Sequence, residues 1–203
     1  MIETVISLFL LMSLSTIPSI DELQGGEFSA ALTDLESGEI IAGTGSGTFP
    51  LTSPDVFVLA CSADMLQRGG TDVPREPDME TLEAWATERG MTNTDFFPSE
   101  AVRCSTSAED VARALVIIHS CNHLPFVRRA LKGLALPERV GETARDWGML
   151  GLTDSGVDHL AFALTAVSPR GEELAAVLLS RGLCCPGKAE LALTLLLEAA
   201  EGD

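Results

Sequence analysis

The 203-residue sequence predicts an α+β fold: a five-stranded antiparallel sheet flanked by N- and C-terminal helices, with a reduced helical subdomain inserted between its strands. Three observations lead there. Alternating apolar and small or polar residues around a tight turn mark a hairpin at "EFSAALTDLESGEIIAG". Helical spacings fill the middle of the chain. Three more strand-like runs, "WGMLGLT", "DHLAFALTAVS" and "EELAAVLLSRG", come together near the C-terminus. Two strand groups separated by helices can complete one antiparallel sheet, with the terminal helices covering a face. The expected organisation is therefore an apolar helix at 1–26 and one domain at 27–203, within which 51–145 is the helical insert.

The first element is the apolar run "TVISLFLLMSLSTIPS". It has the length of a signal-peptide core, and small residues follow it. The flank "MIE" carries Glu3 and no Lys or Arg, the wrong sign for secretion. Pro18 stops the run short of the ~20 residues needed to cross a bilayer. Glu3, Thr4, Ser7 and Ser15 share one narrow stripe of a helical wheel, which suits a helix buried on most sides or shared with a partner. The sequence favours a retained helix and a cytoplasmic location; export is the alternative if residues 1–19 are a signal peptide.

In the first hairpin, Phe28, Ala30 and Leu32 alternate, and Glu36-Ser37-Gly38 supplies the turn before Ile40-Ile41. "GTGSGTFP" follows as a loop. It fits neither G-x-G-x-x-G nor G-x-x-x-x-G-K-[ST], so it is a flexible turn and not a phosphate cradle. Asp55 to Arg68 is expected as a helix, with Ser53 or Pro54 at its start and Gly69-Gly70 at its end. "TDVPREPD" is a linker, and Met79 to Arg89 a second helix closed by Gly90. A third helix is expected over Ser105 to Ser120, with Ser105 or Thr106 as N-cap and Glu109 and Asp110 in its first turn. "LPFVRRALKGL" adds a short fourth. Pro169-Arg170-Gly171 turns between the last two strands, and Lys188 to Ala200 closes the chain as a Leu-rich helix.

Composition narrows the functional classes. A net charge of −17 excludes a nucleic-acid binder, which needs a basic face, and an anionic membrane surface as partner. The lysines are only Lys132 and Lys188, a pattern that fits a saline habitat or a GC-rich genome equally well. Five cysteines, Cys61, Cys104, Cys121, Cys184 and Cys185, leave at least one thiol unpaired within the chain. None is spaced as C-x-x-C, and buried free thiols fit a reducing compartment better than an oxidising one. The adjacent Cys184-Cys185 reads as two small residues at a turn, because a vicinal disulfide is strained.

Other constellations carry little chemistry. His119 and His123 stand four apart, the spacing of two ligands on one helix face, but Leu124-Pro125 ends the helix there. Asp158 and His159 are adjacent on a strand and point to opposite faces, so they cannot act as a pair with Ser53. Glu76, Asp78, Glu80 and Glu83 lack calcium-loop spacing and read as a solvated helix start. Trp85 and Trp147 read as core or interface residues. No cofactor and no metal are implied.

Several stretches resemble the penicillin-recognising serine family of D-Ala-D-Ala carboxypeptidases and class A β-lactamases. "LTDLESGEII" looks like that family's first hairpin and "FPLTS" like the approach to its nucleophile. "ATERGMTNTDFFPSEAVRCSTSAEDVARALVII" is similar to the stretch where Leu-Gly-Met-x-Asn-Thr-x-Phe leads into Ser-Thr-Ala-x-Asp and a helix. "GVDHLAFALTAVSPRGEELAAVLLSRG" resembles the hairpin after the third active-site motif. Together these cover most of residues 27–200 and imply a β-lactamase/transpeptidase-like fold.

The same resemblance implies three motifs, and the sequence departs from each. In S-x-x-K, serine attacks a carbonyl and lysine helps accept its proton. Here Ser53-Pro54-Asp55-Val56 keeps the serine and puts valine in the lysine's place. No S-x-N or S-D-N occurs on a loop of the helical block. For K-T-G on the edge strand, the best register offers Asp146-Trp147-Gly148, with an acid for the lysine and an indole for the small hydroxyl residue. Ser53 is thus a vestigial nucleophile, and Val56, Asp146, Trp147 and Gly148 occupy the former cleft.

The resulting expectation is a non-catalytic binding, scaffold or regulatory protein. Its partner would be another protein or a second copy of the chain. The alternatives are a serine hydrolase or acyltransferase using Ser53 with another base, and an exported binder of peptidoglycan fragments that does not cleave them.

Overall fold

The computed structural model describes residues 27–44, 47–69, 77–97, 103–121, 150–155, 159–167 and 171–181. The expected terminal helices, the helix expected at 124–134, Glu76, His123, Asp146–Gly148, Asp158 and Cys184-Cys185 lie outside the described residues.

Two hairpins build one sheet. β1 (Glu27–Asp34) turns back into β2 (Ile40–Thr44), and the pair is antiparallel. The turn is closed by the Asp34 carboxylate, which accepts from the Ser37 backbone N–H at 2.6 Å and the Ser37 hydroxyl at 2.8 Å. These two bonds hold the Asp34 carboxyl below the ordinary carboxylate range. Gly38 completes the turn at φ +73°, a conformation open to glycine at little cost. The second hairpin lies far along the chain: β6 (Leu150–Ser155), β7 (His159–Val167) and β8 (Glu173–Arg181). The last strand inserts beside the first, with Ala31 opposite Val177, giving the order β2-β1-β8-β7-β6.

The central strands are buried on both faces. Cross-strand partners share a face, so Ala31, Ala175, Val177, Leu179, Ala161 and Ala163 form one surface, which joins the core cluster of the helices. Most of these are alanine, which lets helices approach closely. Ala30, Leu32, Leu174, Ala176 and Leu178 form the opposite surface and are equally buried, at 0–3% exposure. That two-sided burial is why β8 reads as a continuous apolar run without alternation.

Between the hairpins the described residues form three helices and a second sheet. The helices are α1 (Asp55–Gln67), α2 (Met79–Glu88) and α3 (Ala108–Ser120). α1 packs on α3, and α3 packs on β8 and β1. The second sheet, in the order β3-β5-β4, consists of β3 (Phe49–Leu51), β4 (Asp95–Phe96) and β5 (Cys104–Thr106).

This sheet corrects the expectation of a purely helical insert. Ser105 and Thr106, expected to cap a helix, pair instead with Pro50 and Phe49. The helix starts at Ala108 with Ser107 as N-cap, whose side chain accepts from the Asp110 N–H. Pairing with a distant segment outweighs the local preference of serine and threonine for a cap. Pro50 is tolerated because β3 lies at the edge of its sheet.

Candidate functional site

β3 and α1 position Ser53. β3 anchors the approach through its pairing with β5 and through Leu51, whose carbonyl accepts from the Arg103 N–H at 2.8 Å. Ser53 then lies half-buried just before α1, and Pro54 stands at the N-cap without a side-chain capping bond. α1 is apolar nearly all round, as a helix enclosed by its neighbours must be. Val56, Phe57, Ala60, Cys61 and Ala63 are buried, and the Phe57 ring meets Phe96 edge to face at 5.6 Å.

Val56 occupies the position three residues after Ser53 and is only 4% exposed, within the main core cluster. The helix therefore has an apolar contact where an S-x-x-K enzyme needs a proton acceptor. Asp55, one residue earlier, is exposed. A lysine at 56 would have to bury an ammonium among Phe57, Ala60 and their neighbours.

The third motif belongs on the edge strand of the large sheet. β6 is that edge, described from Leu150 onward, and the expected positions Asp146–Gly148 lie outside the described residues. The glycine that β6 itself carries is Gly151, opposite Leu164. It is preceded in the sequence by Met149 and Leu150. In this register too, no cation stands where the motif has its lysine.

The polar chemistry of the insert lies elsewhere, at two buried aspartates. Asp64, near the end of α1, accepts from Trp85 Nε1 at 3.0 Å and from Arg89 Nε at 3.0 Å, and Arg89 makes a second ion-pair contact with it. Burial pushes the Asp64 carboxyl up. The bonds from Arg89 and Trp85 and the charges of Arg89 and Arg68 outweigh it, so the group is held below its ordinary value. Arg68 bridges onward to Glu88 at 2.9 Å. An open depression of about 430 Å³ borders this network, lined by Asp64, Arg68, Asp78, Thr81, Trp85 and Glu88 among others. Its arginine is paired with its own carboxylates.

The second is Asp110, 1% exposed at the start of α3. Its carboxylate accepts from the Asn93 N–H and the Thr94 hydroxyl, both at 2.9 Å, and Thr94 also shares a hydrogen bond with Thr106. This ties the "MTNT" stretch to the "STSAED" stretch. The two runs that carry the sequence resemblance are thus joined as scaffold.

Sequence reasoning missed the Asp64 lock. The signal was present: Asp64 is the one acid on the buried face of a helix whose other buried residues are apolar. Its partner Arg89 lies 25 residues on, a distance no local pattern reports. Trp85, read as a core residue, is 5% exposed and fits that reading. Asp78, read as part of a solvated helix start, caps α2 by accepting from the Thr81 N–H at 2.8 Å.

His119 meets Glu173 at 2.8 Å, which ties the end of α3 to β8. Cys61 and Cys121 are buried thiols outside any disulfide. Burial, then the Asp64 charge, pushes the Cys61 thiol up to about 11, so it is not a thiolate nucleophile at neutral pH. Among the described residues, no three His, Cys, Asp or Glu side chains gather as a metal site.

No protein-family model and no curated protein matches this chain. Solved structures do. A β-lactamase from Chitinophaga pinensis is 16% identical and superposes with a TM-score of 0.71, covering 92% of this chain and 99% of that one. One from Sphaerobacter thermophilus is 12% identical, with a TM-score of 0.70 over 93% and 95%. One from Burkholderia phymatum is 13% identical, with a TM-score of 0.68 over 94% and 98%. The chain therefore has a β-lactamase-like fold, that of the penicillin-recognising serine enzymes. Identity this low speaks for the fold alone.

Proposed function

We propose that this protein uses a β-lactamase-like fold without its acyl-transfer chemistry, as a binding, scaffold or regulatory module for another protein. The observation that carries the reading is Val56. It is buried in the core at the position where the fold's enzymes need a basic side chain. Valine accepts no proton, so position 56 cannot supply the base that activates a nucleophilic serine. The edge strand supports the same reading, because neither Asp146-Trp147-Gly148 nor Met149-Leu150-Gly151 supplies the lysine that attracts a substrate carboxylate. Losing several members of such a constellation removes most of the rate, since single members already account for orders of magnitude.

The test is intact-protein mass after incubation with a fluorescent penicillin and, separately, a fluorophosphonate, on wild type and Ser53→Ala. The expected result is no adduct with either reagent in either protein. An adduct on wild type that disappears in Ser53→Ala would establish an activated serine and overturn the proposal.

A further inference from the structure

We draw no further inference here: the strongest candidate, the acid-rimmed depression between α1 and α2, is bordered by Arg68 and Asp78 on either side of residues 70–76, which lie outside the described residues, so nothing in the structure shows what covers it.

Discussion

α1 and α3 are both 13-residue helices, but they begin in opposite ways. α3 starts on Ser107, which caps the Asp110 N–H, and on the Asp110 carboxylate, which gathers Asn93 and Thr94. α1 starts on Pro54 with no side-chain cap, and its first turn buries Val56 and Phe57. The start of α1 follows Ser53, while the start of α3 is the scaffold that ties the "MTNT" and "STSAED" stretches together. Buried polar groups hold the scaffold, and apolar packing holds the start of α1.

The largest effect expected on this contrast comes from Val56→Lys. Burying an ammonium in the core should cost about 3–5 kcal/mol, read from urea unfolding, without creating a penicillin adduct. A stable variant that becomes acylated would show that the site lacks only its base. Next comes Asp110→Ala, which removes the carboxylate that accepts from the Asn93 N–H and the Thr94 hydroxyl and should cost roughly 2 kcal/mol. A cost below ~1 kcal/mol would remove the scaffold half of the comparison.

Asp64→Asn should act through pH. Because the folded Asp64 carboxyl is held below its unfolded value, its stabilisation is fully present above pH ~4 and is lost as pH falls through the lowered folded value. The variant should be less stable than wild type near neutrality, with the difference shrinking as acid is added, by melting temperature between about pH 6 and pH 2. A constant gap would mean that the charge of Asp64 contributes nothing beyond its shape. The smallest effect is expected for Ser107→Ala, which removes the α3 cap at about 1 kcal/mol. An equal loss from a substitution at Pro54, which makes no such bond, would erase the difference between the two helix starts.

Much of the architecture was legible in the sequence. The helices at 55–67 and 79–88 and the strands β1, β2, β7 and β8 follow from local periodicity and turn residues, and each lies within a few residues of where that pattern puts it. β3 and β5 were hidden because three-residue strands carry too little pattern to outweigh a Ser/Thr-rich cap signal.

By itself the sequence determined that position 56 carries no base, that the surface is acidic, and that two hairpins bracket a helical block. These are matters of residue identity and short-range period, which need no neighbours. Only the tertiary structure decided that β8 inserts beside β1, that Val56 is core, and that Asp64 and Asp110 are the buried charges among the described residues of the insert. Each depends on segments tens of residues apart meeting in space. Burial and pairing are properties of that meeting, not of either segment alone.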